Sequence, residues 1–124
     1  LPRLLAAMVP AHIRLHMDVC AMPPQAPARE AAVLRVCQEA VSNAVRHSGA
    51  SRIEVAIRLC PTHLCLVVAD DGCGIPQSPR HGMGLTNMQQ RIDELGGTLR
   101  IVRRRGGGTR IEARLARSDE GAVA

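Results

Sequence analysis

The chain is predicted to fold as an α/β two-layer sandwich, a mixed, mostly antiparallel sheet of about five strands covered on one face by helices. Three observations predict it. Segments around Ile13–Val19, Arg52–Leu59, Thr98–Arg103 and Thr109–Leu115 alternate apolar with polar residues, the signature of strands with one face buried. Two longer stretches repeat their apolar residues at helical spacing instead. Glycine and proline clusters separate these segments at turn-like intervals.

Taken in order, Ile13-Arg14-Leu15-His16-Met17-Asp18-Val19 alternates strictly and forms the first expected strand. Met22-Pro23-Pro24-Gln25-Ala26-Pro27 cannot be a strand interior, and its last proline suits the first turn of a helix. A helix follows from Pro27 or Ala28 to His47, with Gly49 placed to cap it. Arg52 to Leu59, the turn Cys60-Pro61-Thr62-His63 and the nearly all-apolar run Leu64 to Ala69 read as a hairpin whose second strand is the more deeply buried. Leu85, Met88, Ile92 and Leu95 mark a second helix, stopped by Gly96-Gly97. Thr98 to Arg103, a turn through Gly106-Gly107-Gly108, and Thr109 to Leu115 make a closing hairpin. Little pattern marks either end. Residues 1–10 are expected to be a linker from an upstream domain, 11–117 the folded domain, and 118–124 a flexible tail.

A length of 124 residues suits one domain with one core. With Phe, Tyr and Trp all absent, that core must be built from Leu, Ile, Val, Met and Ala. The 16 basic residues are all Arg and the net charge is +5, which favours an anionic partner, although many of these arginines are accounted for as the solvated face of a sheet. No run approaches the roughly 20 apolar residues of a membrane helix, and Leu1-Pro2-Arg3-Leu4-Leu5 lacks a signal-peptide layout. Five cysteines, none in a C-x-x-C pair, suggest neither a disulfide framework nor a zinc site, so a cytoplasmic setting is expected.

Three segments read as one nucleotide site. On a wheel of about 100° per residue, Glu39, Asn43 and His47 fall in a row along the border between the apolar and solvated faces of the first helix. A carboxylate, an amide oxygen and an imidazole in such a row can activate a hydroxyl or water, ligate Mg²⁺ and contact phosphate. Glu39 and His47 also suit the rim of an ordinary amphipathic helix. Next, the buried strand runs into Asp70-Asp71-Gly72-Cys73-Gly74-Ile75, where Asp70 can accept the exocyclic amine of adenine and the glycines allow backbone to approach a ring. A plain turn after a strand would carry the same Asp-Gly. Third, Gly82-Met83-Gly84-Leu85 precedes the second helix, so free N–H groups there would face an anion. A Walker-type loop needs a lysine and the chain has none, leaving phosphate to these amides, Mg²⁺ and arginines such as Arg46 or Arg91. The short polar segment 76–81 between the glycine clusters would be a small lid.

Together these segments resemble the ATP-binding catalytic domain of sensor histidine kinases, in the GHKL superfamily, over about Ala11 to Leu115. Gln38 to His47 looks like the family's N box, Asp70-Asp71-Gly72-Cys73-Gly74 its G1 box, and Gly82-Met83-Gly84-Leu85 its G2 box. Gly84 to Arg91, Leu95-Gly96-Gly97 and Gly107-Gly108-Thr109 are similar to the subgroup partnering helix-turn-helix response regulators. The resemblance implies ATP and Mg²⁺ as cofactors, Asn43 as the Mg²⁺ ligand, Asp70 as the adenine reader, Thr109 as support for the base pocket and Glu39 as the catalytic residue. Asn43, Arg46, His47, Asp70, Gly72, Gly74, Ile75, Gly82, Met83, Gly84, Leu85 and Thr109 would line the nucleotide site. Arg46 stands where relatives mostly have Lys, and Asp71 where Asn is frequent.

None of His12, His16, His47, His63 or His81 is followed by the acidic residue that this subgroup's phosphoacceptor carries. The implied partners are therefore an upstream dimerisation and phosphoacceptor domain and a downstream response regulator, with no direct nucleic-acid or membrane contact by this segment, though the full-length kinase could be membrane-anchored. Rival readings are a serine kinase of the anti-sigma-factor type, an ATPase switch, and a non-catalytic basic nucleic-acid binder. Missing aromatics and arginines dispersed over strands disfavour the last.

Overall fold

The computed structural model describes residues 2–20, 25–47, 49–72, 85–104 and 107–117. Their order is α1 (Pro2–Ala7), β1 (Arg14–Val19), α2 (Pro27–His47), β2 (Arg52–Leu59), β3 (His63–Asp70), α3 (Leu85–Glu94), β4 (Thr98–Arg103) and β5 (Thr109–Ala116). The strands form one sheet in the order β1-β2-β3-β5-β4. β1 pairs with β2 in parallel, whereas β2 with β3, β3 with β5 and β5 with β4 are antiparallel. The expected mixed, mostly antiparallel sheet is thus present, and its parallel pair exists because α2 is the crossover between β1 and β2.

Alternation decides which face of the sheet is dry. Ile53, Val55 and Ile57 of β2, Leu64, Leu66 and Val68 of β3, and Ile111, Ala113 and Leu115 of β5 are all buried on one face. Val33, Val36, Cys37, Ala40, Val41 and Ala44 of α2 and Met88 and Ile92 of α3 belong to the same core. Fully burying a Val, Leu, Ile or Met side chain contributes about 1.5–3 kcal/mol, so this aliphatic set supplies the driving force without an aromatic residue. The opposite face carries Arg52, Glu54 and Arg58 of β2 and Arg110, Glu112 and Arg114 of β5, knit by surface ion pairs such as Arg58–Asp18 at 2.9 Å.

Glycine placement explains the turns. Gly49 after α2 has φ +65° and Gly96 after α3 has φ +71°, the left-handed conformation of a helix C-cap. A Cβ on Gly97 would lie 2.4 Å from the Arg114 carbonyl oxygen and 2.5 Å from Leu115 Cδ2, so the second glycine lets the end of α3 press onto β5.

Two details differ from the sequence reading. The stretch 1–10, expected as a patternless linker, contains α1, and its Leu5 is fully buried in the core; a single apolar anchor in a six-residue helix leaves too short a pattern to read. Asp70 is the last residue of the β3 ladder rather than the first beyond it, paired with Ile53 on one side and Thr109 on the other.

Candidate nucleotide site

The end of β3 is built around Asp70. The alternating burial of that strand gives way at its end, where Val68, Ala69 and Asp70 are all buried. Only 7% of Asp70 is exposed, and Thr109 beside it is 1% exposed. The Gly72 backbone N–H donates to Asp70 Oδ1 at 2.9 Å. Burial pushes the Asp70 carboxyl above its ordinary value, opposed by the backbone N–H groups of Gly72 and Thr109; the Asp71 charge raises it further and Arg104 lowers it. Arg104 also donates to the Asp70 carbonyl oxygen at 3.2 Å. A desolvated carboxylate so held is a hydrogen-bond acceptor whose cost is recovered only when a donor arrives.

The 107–109 segment clasps this strand end. Gly108 has φ +101°, and a Cβ there would lie 2.1 Å from the Asp70 carbonyl oxygen. Gly107, with φ +113°, faces the Gly72 carbonyl oxygen at 3.5 Å from its ideal Cβ. A side chain at Gly108 would push β5 off the Asp70–Gly72 turn, whereas at Gly107 the cost is the left-handed backbone rather than a clash.

Asp71, the neighbour of Asp70, does different work. Its Oδ1 accepts the backbone N–H groups of Ser51 at 2.8 Å and Arg52 at 2.9 Å, and its Oδ2 accepts the Ser51 hydroxyl at 2.5 Å. These bonds hold its carboxyl down at about 2. The sequence reading registered Asp71 only as a departure from Asn and missed this clamp on the start of β2; nothing in the local pattern signals a partner about twenty positions upstream. Arg104 was likewise not singled out.

On the helical side, Asn43 points into the fold from α2. It is 4% exposed, and both its amide nitrogen and its amide oxygen are buried without a hydrogen-bond partner among the described residues. α2 packs against both β3 and α3. A buried amide left unpaired costs about 1–3 kcal/mol, so its setting fits a group that arrives from outside the described residues, such as a hydrated cation or a phosphate. Glu39, one turn earlier, is half-buried, and Arg46 is exposed near the helix end. His47 ends α2, and Leu85 begins α3. The structure thus brings Asp70, Gly72 and Thr109 into direct contact and turns Asn43 inward on the helix packed against their strand. Gly74, Ile75, Gly82, Met83 and Gly84 lie outside the described residues.

Among the described residues no group of three or more His, Cys, Asp or Glu side chains is arranged to hold a metal. No described helix is long and apolar enough to cross a membrane.

Comparison with known families is decisive for this architecture. Residues 28–119 match the model described as histidine kinase-, DNA gyrase B-, and HSP90-like ATPase. The chain belongs to this ATPase family. The nitrate/nitrite sensor protein NarX of Escherichia coli is 35% identical over 106 residues, covering 84% of this chain and 15% of NarX. The sensor histidine kinase LiaS of Bacillus subtilis is 36% identical over 85 residues, covering 67% of this chain and 24% of LiaS. The chain therefore spans a quarter or less of these relatives. Among solved structures, the blue-light activated histidine kinase of Erythrobacter litoralis superposes with a TM-score of 0.83 at 19% identity, covering 98% of this chain and 42% of that one. The catalytic domain of the histidine kinase ThkA superposes at 0.73 with 21% identity, covering 96% of this chain and 86% of that one. The fold is shared over nearly all of this chain, with α2 carrying Asn43 and β3 delivering Asp70.

Proposed function

We propose that this chain is the ATP- and Mg²⁺-binding catalytic domain of a two-component sensor histidine kinase. It would deliver the γ-phosphoryl of ATP to a histidine on a separate dimerisation domain, for relay to a response regulator. The observation that carries this reading is Asn43, an amide buried on α2 with neither polar atom paired among the described residues, on a helix packed against the strand that ends in Asp70. Asn43 would ligate Mg²⁺, Asp70 would accept the adenine amine, and Thr109 would back the base. Glu39 would orient or activate the accepting group, and Gly82, Met83, Gly84 and Leu85 would present backbone N–H groups to phosphate together with Arg46 and His47. Phosphoryl transfer is chiefly positioning plus charge neutralisation, which such a set can supply without a lysine.

Residues 1–10 would continue into the dimerisation and phosphoacceptor domain, since no histidine of this chain precedes an acidic residue. NarX, a sensor protein, and LiaS, a sensor histidine kinase, both extend well beyond the matched segment, consistent with a catalytic module that works inside a longer chain.

The test is the chemistry of the product. The full-length protein containing this segment, incubated with γ-labelled ATP and Mg²⁺, is expected to acquire phosphate that is labile to acid and stable to base, and to lose it on Asn43→Asp. An acid-stable phosphoserine on a second protein would favour the serine kinase alternative, and hydrolysis with no protein label would favour the ATPase switch.

A further inference from the structure

On the face of the sheet turned away from the helices, a groove of about 430 Å³ runs over β2, β3 and β5, and Cys60 and Cys65 both line it. Their Sγ atoms are 3.6 Å apart. Cys60 directly follows β2 and its N–H donates to the His63 carbonyl at 2.8 Å, while Cys65 lies on β3 opposite Arg58 and Arg114. Both thiols are half-buried, unlike Cys37, which is fully buried in the core with its thiol pushed up to about 12. Cys37 is therefore inert, and the pair is reachable from solvent.

We propose that Cys60 and Cys65 are a dithiol–disulfide redox pair that reacts with low-molecular-weight disulfides. A bonded sulfur pair is about 2.05 Å apart, so closure takes a shift of about 1.5 Å, within the reach of side-chain rotation across a hairpin. The thiolate of one cysteine of the pair attacks one sulfur of the small disulfide, forming a mixed disulfide and expelling one small thiolate. The thiolate of the other then attacks the protein sulfur of that mixed disulfide, forming the intrachain bond and expelling the second. Two protein thiols lose two electrons and two protons in all, and the small disulfide becomes two small thiols. Burial, the neighbouring Cys60 sulfur and the Glu112 charge raise the Cys65 thiol, with Arg114 opposing. The guanidinium of Arg117, 3.4 Å from the Cys60 carbonyl oxygen, brings a positive charge to that end of the hairpin.

The bond would staple the β2–β3 turn, at the opposite end of β3 from Asp70, so the proposal stands independently of the nucleotide reading. The test is to equilibrate the reduced chain with glutathione and glutathione disulfide, block remaining thiols with an alkylating agent and determine the intact mass and fragment map. The expected product has lost two alkylatable thiols, weighs two hydrogens less, carries no glutathione and maps to Cys60–Cys65; it persists in Cys73→Ser and disappears in Cys60→Ser and Cys65→Ser. A stable glutathione adduct without ring closure, or a bridge mapped to any other pair, overturns it. Phenylarsine oxide, which bridges close dithiols without oxidation, is expected to be retained by the native reduced chain; failure to retain it also overturns the proposal, whatever the variants do.

Discussion

Thr109 lies directly opposite Asp70 in the antiparallel pairing of β5 with β3, and its backbone N–H supports the Asp70 carboxylate from the side opposite β2. Two buried polar residues from strands far apart in sequence thereby form one rigid acceptor.

Replacing Asp70 with Asn keeps the shape and removes the charge. A charge-assisted hydrogen bond is worth about 1.5–3 kcal/mol, so ATP affinity is expected to fall about 10- to 100-fold in calorimetry. The melting temperature should hold or rise, because the cost of burying the charge disappears. Unchanged affinity would mean that adenine is read elsewhere.

Because burial raises the Asp70 pKa, the folded chain holds that proton at a pH where the unfolded chain has released it. Its effect on stability is therefore favourable at low pH and is lost as pH rises through the raised value. Ligand binding runs the other way, since the ionised carboxylate is the stronger acceptor of the two forms. ATP affinity should fall as pH is lowered through the Asp70 titration, and the slope should flatten in Asp70→Asn.

Asp71 has the opposite sign. With its carboxyl held at about 2 against an ordinary 3.8, it contributes stability above the ordinary value that is lost as pH falls between the two. Asp71→Ala should destabilise the fold at neutral pH and weaken its acid dependence in that window, measured by denaturant melts.

Asn43→Ala separates folding from binding. Its amide satisfies nothing within the described chain, so the apo domain should change by no more than about 1 kcal/mol, a small cavity offsetting relief of the unpaired group. Mg²⁺-dependent nucleotide binding should be largely lost.

Gly108→Ala would drive a methyl into the Asp70 carbonyl at a φ of +101°, an expected loss of about 3 kcal/mol or more. Gly49→Ala, at φ +65° with nothing within 4 Å, should cost only about 1–2 kcal/mol. Urea melts of the two variants separate close approach from backbone strain.

The strands and helices were legible because their periods are clean: Ile53, Val55 and Ile57 alternate, Met88 and Ile92 repeat at one turn, and the observed bounds fall within a few residues of those expected. Of the three boxes, the helix carrying Asn43 and the strand end at Asp70 fall among the described residues, and both sit on the elements expected of them. Contacts joining distant positions were not. The clamp from Asp71 to Ser51, the reach of Arg104 to Asp70 and the seat of Leu5 arise from register and packing, which no local pattern encodes.

α2 is also the connection that carries the chain from β1 across to β2. The cylinder that holds Glu39 and Asn43 is thus a tie-rod fastened to the sheet's outer border, with α1 resting on both. Because α1 touches both α2 and β1, a displacement of α2 bears on residues 2–7 and through them on the edge strand, not on β3 alone.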